Sequence, residues 1–250
     1  MKATSNYILR RLVDVGATGF TASEFGRILQ LRMERAYQIL HSMERAGFLK
    51  RVAQGRYVVV GYGRGEILGE PFFLGSRLVE PSYVSFWSAL HYYAWTEQAP
   101  RLVFVANTRR SGTRRVDAYA FRLVRLAASR FFGYEAARRA SFDFPIALPE
   151  KAIVDSFFLP ANAGGVRIAA EALQEAFDGL DLRRLEDFAL SMGSRTLCSR
   201  LGFLLSASGA SSERLRGDAS RTYVKLDPSG PRRGRFDSRW KVIDNLSRGG

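Results

Sequence analysis

The first sixty residues constrain the fold more than any other part of the chain, because four helix and strand signals follow one another with little room between them. Tyr7, Ile8, Leu9, Leu12 and Val13 form an apolar stripe at helical spacing, which predicts a helix over about Asn6–Val13. Gly16 and Gly19 end it. Thr21-Ala22-Ser23-Glu24 then has the form of a capping box, in which the Thr21 hydroxyl accepts from an amide of the first turn and Glu24 reaches back to the cap amide. A short second helix follows through Phe25, Ile28 and Leu29, and a third spans about Arg32–Arg45, where Ala36, Ile39, Leu40 and Met43 repeat at i, i+3, i+4 and i+7. Gly47 stands where a C-terminal glycine cap belongs. Phe48–Val52 and Arg56–Val60 surround Ala53-Gln54-Gly55 and read as a hairpin with a glycine-bearing turn.

Helix, capped short helix, helix and β-ribbon in that order is the winged helix-turn-helix pattern. With Ala36, Ile39, Leu40 and Met43 inward, Glu34, Gln38, His41 and Arg45 lie opposite, flanked by Arg35 and Ser42. Arg pairs with guanine edges, Gln with adenine, and cations with phosphate. The candidate DNA contacts are therefore Arg35, Gln38, His41 and Arg45 on the helix, Arg32 at its start against backbone phosphate, and Lys50, Arg51 and Arg56 on the hairpin. Residues 1–60 hold ten Lys+Arg and four Asp+Glu, a formal charge of +6. Two other readings stay open for this segment: the polar face is the solvated side of any amphipathic helix, or the unit docks a protein instead of DNA.

Charge extends the argument to the whole chain of 250 residues, whose formal balance of +14 favours polyanions, with nucleic acid the commonest in the cytoplasm. Of the 38 cations 33 are Arg, which GC-rich codons alone produce, so the net charge carries the inference and the arginine excess does not. A single cysteine, Cys198, excludes an intramolecular disulfide and a zinc site built on two thiolates; His41 and His91 leave little for a His-rich metal site. With no apolar run of about 18 residues and no signal-peptide core, a cytoplasmic protein without a membrane partner is expected.

Gly61-Tyr62-Gly63-Arg64-Gly65-Glu66 reads as a linker, residues 61–66, between a domain of residues 1–60 and a larger mixed unit of residues 67–250. There Ser82–Trp95 is expected to be an aromatic helix, and Leu102–Ala106 and Val116–Leu126 strands joined around Ser111-Gly112. Further helices are expected from Pro149, with proline at the start and Glu150 in the first turn, and over Val166–Phe177, Leu182–Met192 and Arg195–Leu205. Thr222–Leu226 and Trp240–Ile243 read as late strands flanking a basic, turn-rich Pro228–Arg239. The whole is expected to be α+β: an N-terminal winged helix-turn-helix followed by a larger α+β domain.

Catalytic signals are sparse. His91 falls in the aromatic helix, buried by pattern, and Cys198 sits between Leu197 and Leu201 as a packed thiol. Glu150 and Asp155 are five residues apart, which turns them about 140° from each other on a helix and makes a poor shared metal site; Ile153, Val154 and Phe157 read as that helix's buried face. No catalytic residue, metal or cofactor is expected.

Four segments add a resemblance: Glu80–Tyr93, containing PSYVSFWSALHYY; Thr96-Glu97-Gln98; the PEKAIVD stretch at 149–155; and Ser199–Leu205. In these the chain resembles the AbiEi family, antitoxins of bacterial and archaeal type IV toxin–antitoxin and phage-defence systems, and the likeness extends from the N-terminus to about Asn245. The resemblance implies an N-terminal winged helix that binds inverted repeats of double-stranded DNA in its own promoter and represses it. It also implies a C-terminal domain that counters an AbiEii-like nucleotidyltransferase toxin without a stable complex. Arg35, Gln38, Lys50, Arg51 and Arg56 fall where the family's DNA-binding helix and wing lie, and the basic Arg183, Arg184, Arg232, Arg233 and Arg235 are candidates for the antitoxin surface. A nucleic-acid-targeted nuclease drawing on Glu150, Lys151 and Asp155, and a winged-helix adaptor for a protein or RNA, are the alternatives.

Overall fold

The structure, a computed structural model, describes residues 2–60, 65–210 and 212–246. The N-terminal elements are α1 (Lys2–Asp14), β1 (Gly19–Thr21), α2 (Ala22–Ile28), α3 (Met33–Arg45), β2 (Leu49–Ala53) and β3 (Arg56–Val59). The capping box forms: Glu24 N–H donates to Thr21 Oγ1 at 3.2 Å, and Thr21 N–H donates to the Glu24 carboxylate at 2.7 Å. Leu9, Leu12, Phe25, Ala36, Leu40 and Val58 close a core under the three helices. Tyr7 and Val13 do not join it, being 67% and 39% exposed. At 100° per residue, Ile8, Leu9 and Leu12 already fill one face, with Val13 on its flank and Tyr7 nearly opposite it. A Cβ on Gly26 would stand 3.3 Å from the Leu31 carbonyl and 3.7 Å from Ala36 Cβ, so the missing side chain is what lets α2 approach α3 this closely.

A strand that the sequence did not mark, β1, closes the hairpin into an antiparallel sheet of order β1-β3-β2 with Phe20 opposite Tyr57 and Leu49 opposite Val59. Three residues are too short for a period-two signal to be visible. Beyond it, positions 61–64 of the expected linker lie outside the described residues, while Gly65 and Glu66 open a helix and are not linker.

The larger unit contains α4 (Gly65–Gly69), α5 (Pro71–Arg77), β4 (Ser82–Val84), α6 (Phe86–Tyr92), β5 (Val103–Asn107), β6 (Gly112–Val116), β7 (Tyr119–Arg125), β8 (Tyr134–Arg139) and β9 (Phe142–Ala147). It continues with α7 (Pro149–Phe158), α8 (Val166–Ala176), α9 (Leu182–Ser191), α10 (Arg195–Ala207), α11 (Glu213–Gly217), β10 (Val224–Lys225), β11 (Arg235–Asp237) and β12 (Val242–Asp244). Among the described residues a mixed six-stranded sheet runs β6-β7-β5-β4-β9-β8, with β5 parallel to β7 and β4 parallel to β9, so β6 and β8 are its edges. The fold is mixed α+β.

The expected helix over Ser82–Trp95 is corrected: Ser82, Tyr83 and Val84 form the short inner strand β4, pairing with Asn107, Ala106 and Val105, and only Phe86–Tyr92 is helical. An unbroken aromatic run has no clear period, and the slot between β5 and β9 decides its state. Gly112–Val116 is likewise a strand, not a connection, with the turn displaced to Asp117-Ala118. The β8–β9 hairpin, α11 and β11 were not expected, the last lying inside Pro228–Arg239. The exposed sequence of β8, Tyr134–Arg139, carries no alternation to read.

Helix α7 is the hub of this unit, touching α6, α8, α9 and α10. Its burial is wider than the expected face of Ile153, Val154 and Phe157, since Glu150, Lys151, Asp155 and Ser156 are buried too. At the far end, the short sheet β10-β12-β11 is clamped to α10 by Trp240, whose Nε1 donates to Ser206 Oγ at 2.9 Å. A Cβ on Gly202 would overlap the Trp240 ring, so only glycine fits there. No helix among the described residues is long and apolar enough to cross a membrane.

Candidate nucleic-acid interface

The α3 periodicity that buries Ala36, Leu40 and Met43 leaves one wide polar face outward. Glu34, Arg35, Gln38, His41, Ser42 and Arg45 lie within about 60° of Gln38 at 100° per residue. Arg35, Gln38, His41 and Arg45 are all exposed, and Arg32 is exposed at the N-cap. Arg35 Nη1 donates to Gln38 Oε1 at 3.1 Å, so the two side chains are held as a pair. Tyr37, 51% exposed on the flank of this face, was missed by the reading of polar residues. An exposed aromatic at a helical position otherwise assigned to neither face is the signal that marks it.

The wing cations divide. Arg51 is exposed, with Nε donating to the Ala53 carbonyl at 3.4 Å. Lys50 and Arg56 instead cross to the larger unit: Lys50 Nζ meets Asp117 Oδ1 at 2.9 Å, and Arg56 Nη1 meets Glu80 Oε2 at 3.0 Å. Lys50 and Arg51 are neighbours in a strand and leave it from opposite faces, which is how one meets Asp117 while the other stays exposed. The structure thus brings Arg35, Gln38, His41 and Arg45 onto α3 with Arg32 at its N-cap and Arg51 exposed on the β2–β3 hairpin, and it commits Lys50 and Arg56 to ion pairs within the chain.

Two charges tune this region. Burial pushes the Glu24 carboxyl up, but the Thr21 amide and hydroxyl bonds and the charges of Arg27 and Arg56 outweigh it and hold it below its ordinary value. The hydrogen bond and charge of Lys50 hold the Asp117 carboxyl below its own.

The second polar constellation lies in the interior. Asp155, fully buried, accepts from Lys151 on one oxygen and from Tyr83 Oη at 3.0 Å and Ser85 Oγ at 2.7 Å on the other. Lys151 Nζ also lies 4.8 Å from the Phe132 ring centroid and 3.7 Å from Met192 Sδ. Burial, and then the Asp155 charge, push the Tyr83 phenol well above its ordinary range. Two of the segments that carry the family resemblance, at 80–93 and 149–155, therefore meet here. With Tyr83, Lys151 and Asp155 all at 0% exposure, the cluster offers no face to a substrate and serves to lock α7 onto β4.

Glu150 faces a different partner, accepting from Arg184 Nη2 at 2.8 Å, Arg184 Nε at 2.9 Å and the Asp181 amide at 3.0 Å. The two carboxylates of the nuclease alternative are thus each spent on the chain's own cations. Arg184 is exposed but paired with Glu150, and Arg183, Arg232, Arg233 and Arg235 are exposed. His91 is half-buried, not buried, with Nδ1 3.5 Å from the Thr96 carbonyl. Burial, helped by the Asp218 charge, pushes the Cys198 thiol up to about 11, which keeps it protonated and unreactive. Among the described residues, no group of three or more His, Cys, Asp or Glu side chains is arranged to hold a metal.

No protein-family model matches the chain, and no curated protein matches it. Among solved structures it is similar to the RV2827C protein from Mycobacterium tuberculosis, whose crystal structure gives a TM-score of 0.58 at 14% identity over 94% of this chain and 89% of that one. At that identity the likeness concerns the fold alone.

Proposed function

We propose that the chain is a DNA-binding autorepressor and the antitoxin of a type IV toxin–antitoxin pair, with residues 1–60 acting as a winged helix-turn-helix. The observation that carries the DNA half is the outward face of α3, where Arg35, Gln38, His41 and Arg45 stand exposed over buried Ala36, Leu40 and Met43. In the proposed mode α3 enters the major groove, the Arg35–Gln38 pair meets base edges, and Arg32 and Arg51 neutralise phosphates. The formal charge of +6 in this segment supports the same polarity of partner. The antitoxin half rests on the resemblance of residues 80–93, 96–98, 149–155 and 199–205 to the AbiEi family. Arg183, Arg232, Arg233 and Arg235 are its proposed surface.

Fluorescence anisotropy of the full chain, with a duplex from its own promoter and a random duplex of equal length, tests the DNA half. The promoter is expected to bind more tightly, with log affinity falling by about 0.9 per log unit of salt for each phosphate neutralised. Arg35→Ala and Gln38→Ala are each expected to remove about 1–3 kcal/mol of discrimination. Equal affinity for the two duplexes overturns specificity, and no binding at low salt overturns the DNA reading. Co-expression with an AbiEii-like nucleotidyltransferase toxin tests the antitoxin half: growth must be restored, and an unrelieved arrest refutes it.

A further inference from the structure

The wing and the larger unit meet through charges in an arrangement that an ordinary domain contact does not need. Glu80, between α5 and β4, faces Arg56 at 3.0 Å and Arg77 at 3.7 Å, while its backbone carbonyl accepts from Arg109 Nε at 2.6 Å. A cleft of about 400 Å³ opens there, lined by Gln54 and Arg56 of the wing and by Glu80, Arg109 and Arg110 of the larger unit. Two guanidinium groups, Arg56 and Arg77, therefore reach the Glu80 carboxylate, as arginines reach a phosphate, while Arg109 and Arg110 donate to the backbone carbonyls of Glu80 and Leu78 beside it. Asp117, in the turn between β6 and β7, does the same for Lys50. In both pairs the side chains keep substantial exposure, 20% and 41% for Arg56 and Glu80 and 37% and 44% for Lys50 and Asp117, so an outside anion reaches them without unfolding the chain.

We propose that Glu80 and Asp117 are built-in surrogates for nucleic-acid phosphates, which engage Lys50 and Arg56 in ion pairs and which the backbone of duplex DNA displaces on binding. This rests on the DNA reading above and adds to it a restraint on affinity. Exposed ion pairs are weak, so the restraint is small enough for a polyanion to overcome. On opening, two more cations join the contact with DNA, which steepens the response to salt.

The test uses the full chain with Glu80→Gln, Asp117→Asn and the double substitution, titrated against the promoter duplex over a range of salt. A double substitution of Asp178→Asn and Asp218→Asn, outside both pairs, matches the gain in net charge. The Glu80→Gln, Asp117→Asn double variant is expected to bind about three- to tenfold more tightly than this control, because both cations are released from exposed pairs. Asp117→Asn alone, in an exposed turn where folding is not at risk, is expected to give part of that gain. If wild type binds and the double variant binds no better than the control, or more weakly, the surrogate role is wrong and the pairs are scaffolding. If wild type and every variant fail to bind any duplex at low salt, the DNA reading falls and takes the surrogate role with it.

Discussion

Removing the Asp155 carboxylate leaves a buried ammonium without a counter-charge. In Asp155→Ala, Lys151 would keep only Met192 Sδ at 3.7 Å and the Phe132 and Tyr83 rings at 4.8 and 5.6 Å, and the hydroxyls of Tyr83 and Ser85 would lose their acceptor. Breaking a buried ion pair from one side costs about 3–5 kcal/mol, against a total stability of about 5–15 kcal/mol for a folded domain. For a chain of this length each kcal/mol lowers Tm by about 2–4 °C, so a drop of about 10 °C is expected by calorimetry or far-UV circular dichroism. The companion Lys151→Met with Asp155→Leu removes both charges and is expected to recover a large part of the loss, giving a favourable coupling in the cycle of about 2 kcal/mol or more. A loss below about 1 kcal/mol for Asp155→Ala, or additive single effects, would refute the reasoning that α7 is locked to β4 by this pair.

Gly202→Ala forces a methyl into the Trp240 ring and is expected to cost about 1–3 kcal/mol or more, with loss of near-UV tryptophan dichroism; an unchanged spectrum and Tm would contradict the clamp. The Glu24 carboxyl, depressed in the folded state, contributes stability that is full above its unfolded value and lost as pH falls through its folded value. Urea titrations near about pH 7 and about pH 3 should show that component, and Glu24→Gln should abolish it. Cys198, with its thiol pushed up to about 11, is expected to react with Ellman's reagent near neutral pH only as fast as the chain unfolds, and at once in denaturant; prompt labelling of the native protein would contradict its burial.

The elements legible in the sequence are those whose signals are local. The Thr21–Glu24 box, the Pro149 start of α7 and the 3.6-residue period of α3 each place a helix to within a residue or two, because caps and periodicity act within a few positions. The state of Ser82–Val84 is set by strands that arrive from residues 105–107 and 146, which local pattern does not contain. The outward face of α3 could be listed residue by residue for the same local reason. The fate of Lys50 was not legible, since its partner Asp117 lies 67 residues away, and neither was the interior cluster, where Tyr83 reaches Asp155 across 72 residues. The i,i+4 spacing of Lys151 and Asp155 was the one trace of it in the chain.

Both margins of the six-stranded sheet carry consecutive arginines, Arg114-Arg115 on β6 and Arg138-Arg139 on β8. A strand margin is a template that any second chain can extend with its own main-chain amides and carbonyls. Two molecules aligning these margins would press four guanidinium groups together along the shared ladder, and like charges directly opposite one another oppose the pairing. The sheet therefore resists growing past its own borders, and the chain has no easy route from there to a fibre.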